Sequence, residues 1–280
     1  MNRIIFLGSG GGRGMIRTQE RSTAGIYVEL GGGPTSETSN SVKFCIDPGP
    51  GTLVRAIAAK LQPEKWNGIL VSHMHIDQSA DANSLLDAMS HNGIQPFLVA
   101  ERHCVEPKGK NEKINDYFPC ITTYHQNMSK VYSMEPGKKI KLNGMEISAV
   151  LADHYDPTVG FVIKTNNFTV GCASDGAYYK GIEKHYSGCD LLIISTAIPA
   201  NMEAKPHFHM GVKDVVAMLR DMKEKPKLVV LDRLTPFIIR ANIWKQTKII
   251  QDATKVKTIS SEDGMEINLE NFSQKILAIR

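Results

Sequence analysis

A short segment near residue 75 carries side chains that could bind a metal ion. His73, His75 and Asp77 alternate there, directly after the apolar run Gly68-Ile69-Leu70-Val71. The run predicts a buried strand, and alternation at its end would bring the three side chains together on one turn. Imidazole nitrogens and a carboxylate oxygen are ligands of catalytic zinc. The segment therefore predicts a metal site at a strand end, with a histidine-rich surface turn as the alternative interpretation.

This segment, His73-Met74-His75-Ile76-Asp77-Gln78, resembles the His-x-His-x-Asp-His motif of the metallo-β-lactamase-fold hydrolases. The resemblance continues in chain order over residues 4–11, 44–51, 152–154, 159–163, 172–176 and 207–211. None of these later segments is specific by itself. Their order and spacing indicate the phosphodiesterase-like branch, which includes RNase Z, the tRNA 3′-processing endonuclease, and the cyclic phosphodiesterases of phosphonate metabolism.

The resemblance implies a metal-ligand set and a group of supporting residues. The implied ligands are His73, His75, Asp77, His154 and Asp175. His209 corresponds to the additional active-site histidine of the branch, and Asp47 to an aspartate that supports the site without binding metal. By residue type alone, His154 could instead be a buried structural histidine, and Asp175 an ordinary Ser-Asp-Gly turn residue.

Two residues depart from the family pattern. Gln78 stands where the family has a third histidine, and Arg233 falls on the position of its last histidine. Both histidines belong to the family's second metal site, so we expect one divalent ion rather than two. Zinc is the expected metal, with manganese or iron as alternatives.

The sequence favours a metal-dependent hydrolase of a phosphodiester or another small ester, acting through a metal-bound hydroxide. In this interpretation Asp77 is a weak ligand or the base for the attacking water. His209 protonates or stabilises the leaving oxygen, and Arg233 binds a non-bridging oxygen. The alternatives are a member of the family that has lost catalysis and binds a ligand or a partner, or an enzyme with a single iron.

Composition limits the partners of the protein. The 280 residues carry a net charge of +4, which permits a small anionic substrate. The sequence has no long basic segment of the kind that binds a polyanion, so nucleic acid is not favoured as a partner. No run approaches the length of a membrane span, and the first apolar run is too short for a signal-peptide core. With an odd number of cysteines, five, we expect reduced thiols and a cytoplasmic location, and a homo-oligomer is left open.

Apolar periodicity predicts strands and helices that alternate along both halves of the chain. Strands are expected at 3–7, 24–30, 42–46, 68–72, 145–151, 159–165, 168–173, 190–195, 227–231, 256–260 and 265–269, and helices at 52–61, 79–91, 211–223 and 241–254. The pattern alone predicts a mixed α/β (α+β) chain. The resemblance extends this to one αββα domain over 1–280, with two mostly antiparallel or mixed sheets and helices outside.

The residue types of two further segments also carry predictions. Residues 102–130 show weak periodicity, which predicts either a lid insertion or a surface loop. The glycine-rich segment 8–14 lacks a phosphate-loop pattern, and we expect no clear helix after it. Its glycines could instead let the backbone approach the metal pocket closely.

Overall fold

The computed structural model describes residues 2–31, 41–90, 93–109, 112, 118–202 and 208–279. The strands are β1 Arg3–Phe6, β2 Ile26–Leu30, β3 Val42–Ile46, β4 Gly68–Val71, β5 Phe97–Glu101, β6 Lys130–Met134, β7 Lys139–Leu142, β8 Met145–Ala152, β9 Thr158–Lys164, β10 Thr169–Ala173, β11 Leu191–Ser195, β12 Leu228–Asp232, β13 Thr258–Ser260, β14 Met265–Asn268 and β15 Gln274–Ile276. The helices are α1 Gly12–Thr18, α2 Thr52–Ala58, α3 Ile76–Ser79, α4 Ala82–Met89, α5 Arg102–Val105, α6 Thr123–Asn127, α7 Ile182–Tyr186, α8 Val212–Asp221, α9 Pro236–Arg240 and α10 Ile243–Thr254, with a 3₁₀ turn at Pro63–Lys65.

The chain divides into two compact units, which are described separately. The first comprises residues 1–8, 21–135 and 262–280, and the second residues 9–20 and 136–261. The fold class expected from the sequence, α/β with two mixed sheets and helices, is confirmed. The single-domain prediction and the lid at 102–130 remain predictions. The described part of 102–130 contains the short helices α5 and α6.

The first unit is built on an eight-stranded sheet in the order β15-β14-β1-β2-β3-β4-β5-β6. Strands β3 to β6 run parallel, so their carboxyl ends share one edge of the sheet. One face of the sheet packs on apolar side chains of α4, where Leu85, Leu86 and Met89 are fully buried. Helix α4 thus covers one face of the sheet, and His73 follows β4 at the carboxyl edge of the parallel strands.

The second unit contains a seven-stranded sheet in the order β13-β12-β11-β10-β9-β8-β7. Strands β10 to β13 are parallel and β7 to β10 antiparallel. Helix α8 buries Val212, Val215, Met218 and Leu219, whose spacing of three to four residues makes one apolar stripe. The stripe belongs to the core that also holds sheet residues such as Leu192.

The helix predicted at 52–61 forms as α2, but two of its large apolar residues lie on its exposed side. Val54 and Ile57 are 65% and 59% exposed, while Thr52 and Ala56 are buried. The hydroxyl of Thr52 accepts from the Gly25 amide at 2.8 Å and donates to the Gly49 carbonyl at 2.6 Å. These hydrogen bonds satisfy a buried polar side chain and turn that face of α2 inward.

A helix does follow the glycine-rich segment, contrary to expectation. Helix α1 spans Gly12–Thr18 and is capped by Gln19, a left-handed residue whose amide donates to the Met15 carbonyl. Gly11 lies so close to Arg233 that an added Cβ would sit 2.8 Å from the Arg233 Cβ. Glycine is therefore required there for close backbone approach.

Several strands and helices were absent from the sequence prediction. They include β5, β6 and β7, and the short helices α5, α6, α7 and α9. Among the described residues, no helix is both long enough and apolar enough to cross a membrane.

Candidate metal centre

The histidine-rich segment lies at the carboxyl edge of the first unit's parallel strands. His73 follows β4 and is completely buried, and His75 is the residue before α3. Their imidazole rings are 4.7 Å apart between centroids, in an edge-to-face arrangement. Asp77 lies in the first turn of α3 and is 5% exposed. The strand-to-turn geometry predicted for this motif is therefore present.

Asp47 holds His73 through Ser72. The Asp47 carboxylate accepts from the Ser72 amide at 2.6 Å and from the Ser72 hydroxyl at 2.9 Å. Because that hydroxyl donates to Asp47, it is an acceptor toward the His73 Nδ1, which lies 2.9 Å away. Nδ1 then carries the proton, and Nε2 keeps the lone pair that a metal ligand needs.

The turn at Asp47 packs closely on the histidine-rich segment. A Cβ added to Gly49 would lie 2.1 Å from the Asp77 carbonyl oxygen, and the Asp81 amide donates to the Pro48 carbonyl. Only a residue without a side chain allows this approach.

In the second unit, His154 and Asp175 lie on two turns that are joined by the backbone. The Ala177 amide donates to the Asp153 carbonyl at 2.7 Å, next to His154. Nδ1 of His154 lies 3.0 Å from the Phe208 carbonyl oxygen. A carbonyl can only accept, so Nδ1 is the protonated nitrogen, and Nε2 of His154 is again the one with a free lone pair.

Asp175 follows β10 at the carboxyl edge of the parallel strands and is 6% exposed. Ser195, at the end of the neighbouring strand β11, donates its hydroxyl proton to Oδ1 of Asp175. This bond orients the carboxylate. Asp232 ends the next strand, β12, and its Oδ1 accepts from the Ser261 hydroxyl at 2.6 Å.

Four candidate ligands form one group. Ligand atoms of His73, His75, His154 and Asp175 all lie within 4.8 Å of one another. Three imidazoles and a carboxylate match the donor set of zinc, manganese or iron, and two of the imidazoles have the required tautomer. Asp77 is not a member of this group, so its role as a ligand stays a prediction, like the other site assignments.

Gln78, the first departure from the motif, is 1% exposed. Its Nε2 donates to Oδ2 of Asp77 at 3.1 Å, and its Oε1 is buried without a described hydrogen-bond donor. An amide at this position therefore holds the neighbouring carboxylate.

His209 and Arg233 both belong to the second unit. The rings of His209 and His154 are 5.0 Å apart between centroids, so the additional histidine lies beside a candidate ligand. Arg233 is 6% exposed and adopts a φ of +53°, and its Nε lies 3.7 Å from Oδ2 of Asp232. A charged guanidinium is thus held at the strand end. His207, the first residue of the segment 207–211 that carries part of the resemblance, lies outside the described residues.

Sequence reasoning missed the residues that orient the ligands: Ser72, Ser195 and the carbonyl of Phe208. A serine beside the histidine motif was visible, but the other two come from distant segments.

His103 was also not predicted; it follows β5 with Nδ1 2.8 Å from Glu101 Oε1 and Nε2 3.1 Å from Glu112. Burial raises the pKa of Glu101, although its hydrogen bonds with His103 oppose this.

The sequence profile of the beta-lactamase superfamily domain matches residues 43–231, which contain the four-residue group. The chain belongs to the beta-lactamase superfamily. An uncharacterised protein of Methanocaldococcus jannaschii is 26% identical over 99% of this chain and 98% of its own length. Ribonuclease Z of Thermococcus sibiricus is 28% identical over 60% of this chain. That match spans 49% of the ribonuclease, about half its length.

The fold is also that of a solved structure of the superfamily. The metallo-β-lactamase fold protein YhfI of Bacillus subtilis superposes with a TM-score of 0.72 at 16% identity. The alignment covers 95% of this chain and 98% of YhfI. The superfamily membership supports hydrolase chemistry and divalent-metal binding, and the resemblance found in the sequence is confirmed.

Proposed function

We propose that this protein is a metal-dependent hydrolase that acts on a phosphodiester or another small ester. The observation that carries the proposal is the group of His73, His75, His154 and Asp175, found in a chain of the beta-lactamase superfamily. The likeness to a protein named ribonuclease Z supports a phosphodiester as the scissile group.

These four residues would hold one divalent ion, with zinc favoured by the nitrogen-rich donor set. When bound, such an ion supplies Lewis acidity and lowers the pKa of a coordinated water toward about 7. Ser72 and the Phe208 carbonyl keep the lone pairs on Nε2 of His73 and His154.

Asp77 is our candidate for the base that accepts the proton of the attacking water. Its Oδ2 is held by Gln78, which fixes the carboxylate without neutralising it. Oδ1 is the oxygen not used by this hydrogen bond, and it would take the proton.

His209 is our candidate for the group that protonates the leaving oxygen. Its ring lies beside that of His154, which places a titratable nitrogen next to the proposed ligand set. A histidine can hold or release a proton near neutral pH, as a general acid requires.

Arg233 would bind a non-bridging oxygen of the substrate. A guanidinium stays charged and can hold a phosphate oxygen in a fork. Its buried stem and left-handed backbone fix the position of that charge. A small anionic substrate suits one fixed cation better than a long polyanion does, and a cytoplasmic location would suit the reduced cysteines.

The proposal is tested with bis(4-nitrophenyl) phosphate and a simple nitrophenyl ester as generic substrates. We expect zinc-loaded protein to hydrolyse the diester, and His209→Gln to lower kcat by roughly 100-fold or more with metal content retained. His185→Gln, at an exposed residue of α7, is the matched control and should behave like wild type. Absence of turnover on both substrates with metal bound would overturn the proposal.

A protein that binds a ligand without turnover is the second candidate. It is favoured by the two departures from the family pattern, Gln78 and Arg233. Tight binding of a phosphodiester by metal-loaded protein, with no turnover, would support it.

A further inference from the structure

Two cysteines of the first unit lie side by side although they are 16 positions apart in the sequence. The Ile121 amide donates to the Cys104 carbonyl at 3.0 Å, and the Cys120 Sγ is 3.9 Å from that same oxygen. Each thiol influences the pKa of the other, and both cysteines are free thiols. The fold therefore brings the Cys120 sulfur atom to the backbone of Cys104, outside the proposed metal centre.

Neighbouring backbone is fixed on both sides of this pair. Asn83 of α4 donates to the Cys120 carbonyl and accepts from the Thr122 amide, each at 3.0 Å. The Gln126 side chain donates to the carbonyls of both Val105 and Ile121, at 3.0 and 2.8 Å. Because these bonds tie the two segments together, the thiols are held near each other, which favours an intramolecular reaction.

The two thiols differ in access and in acidity. Cys104 is fully buried, whereas Cys120 is half-buried. Burial raises the pKa of Cys104, while hydrogen bonds from Cys104 and Ser79 lower the pKa of Cys120. The thiolate is the nucleophilic form of cysteine, so Cys120 is suited to the first attack, and Cys104 is the candidate resolving thiol because it lies beside Cys120.

We propose that Cys104 and Cys120 form a redox-active dithiol whose co-substrate is a low-molecular-weight disulfide. The Cys120 thiolate attacks one sulfur of the small disulfide and expels one thiolate, which is protonated to the free thiol. Cys104 then gives up its proton and attacks Sγ of Cys120, expelling the second small thiol. One protein disulfide forms, two protein thiols are oxidised, and one small disulfide is reduced to two thiols.

The other cysteines provide internal controls. Cys45, Cys172 and Cys189 are buried. Burial raises the pKa of Cys189 to about 12, so near neutral pH little of it is in the thiolate form that a first attack on a small disulfide requires.

The test is incubation of the full chain with oxidised glutathione, followed by alkylation under denaturing conditions and peptide mapping. We expect the titratable thiols to fall from five to three, that is by the two of the pair, with Cys104 linked to Cys120. The intact mass should decrease by two hydrogen atoms, and dithiothreitol should restore all thiols. Retention of five thiols, or a disulfide that uses another cysteine, would overturn the proposal.

Two variants separate the two chemical steps. Cys104→Ala should stop at the mixed disulfide, with glutathione retained on Cys120, and Cys120→Ser should not react with glutathione. Cys189→Ser is the matched control and should still form the Cys104–Cys120 bond. Circular dichroism checks that each variant is folded, and the wild-type peptide map remains decisive if Cys104→Ala unfolds. Rapid release of glutathione from Cys120 in folded Cys104→Ala protein would contradict the resolving role.

Discussion

The Ser72 hydroxyl oxygen lies 2.9 Å from Nδ1 of His73, at the same distance as its hydrogen bond to Asp47. Ser72 thereby links the Asp47 carboxylate to the imidazole through two hydrogen bonds and fixes which nitrogen keeps the lone pair for the proposed ion.

Ser72→Ala should weaken metal binding while leaving all proposed ligands in place. Loss of the hydroxyl frees the His73 tautomer and leaves Asp47 with one hydrogen bond fewer, so we expect zinc affinity to fall by roughly 10–100-fold. Chelator competition measures this. Ser90→Ala, which removes a hydroxyl bonded to the Leu86 carbonyl, is the control and should leave affinity unchanged. Equal affinities in the two variants would argue against the Asp47–Ser72–His73 chain.

Gly49→Ala should be strongly destabilising, because its Cβ would meet the carbonyl oxygens of Thr23 and Asp77 at 2.1 Å. We expect a loss of about 3 kcal/mol in the free energy of unfolding, measured by urea denaturation. Gly144→Ala is the comparison: its φ is +76° but nothing lies within 4 Å, so about 1 kcal/mol is expected from the backbone alone. Similar losses for both variants would show that the turn can relax away from α3.

Acid should destabilise the protein partly through Glu29. Burial raises the pKa of this carboxyl, but hydrogen bonds from Arg3 and Ser41 and the charges of Arg3 and Lys43 bring it below its usual value. A lowered pKa stabilises the folded state above the ordinary carboxyl pKa, and this contribution is lost as pH falls through the folded value.

The free energy of unfolding should therefore decline with falling pH below about 4.5, and this decline should be shallower in Glu29→Gln. Urea denaturation between about pH 3 and pH 7 measures it. Exposed Glu64→Gln is the control and should follow the wild-type curve. Parallel curves for Glu29→Gln and wild type would show that Glu29 does not contribute to the loss of stability in acid.

Arg233→His combined with Gln78→His would restore both residues that the family has at these positions. Removing a fixed cation lowers the repulsion toward a second metal ion, so metal content should rise toward about two ions per chain. Arg240→His combined with Gln78→His tests whether any added histidine has this effect, since Arg240 is an exposed residue of α9. Unchanged content in the first double variant would mean that the departures do not set the number of ions.

The candidate metal-binding motif could be predicted from sequence because it is local. A buried apolar strand followed by alternating histidines determines the positions of His73 and His75 with little help from the rest of the chain. The partners that orient these ligands could not be predicted in this way. Ser195 reaches Asp175 only because β10 and β11 are parallel neighbours, and Phe208 accepts from His154 across 54 positions.

Apolar periodicity failed where polar contacts decide which face is buried. In α2, the Thr52 hydroxyl is satisfied inside, and Val54 and Ile57 are left outside. Helix α1 was missed because three of its positions or caps are glycines, which lower helix propensity, and tertiary contact with the Arg233 turn outweighs that preference. Strand β5 contains an apolar run of four residues followed by Glu101, too short for periodicity alone to distinguish strand from helix.

Metal content of the purified chain tests the central claim most directly. Mass spectrometry on protein prepared without chelator or added metal should find about one zinc ion per chain, and His154→Ala should lose it, because one of the proposed ligands is removed. His125→Gln, on α6, should retain the ion. Iron in place of zinc would favour the alternative of an enzyme with a single iron over the zinc hydrolase. No bound metal after zinc, manganese or iron is supplied, or full retention in His154→Ala, would contradict the proposed centre.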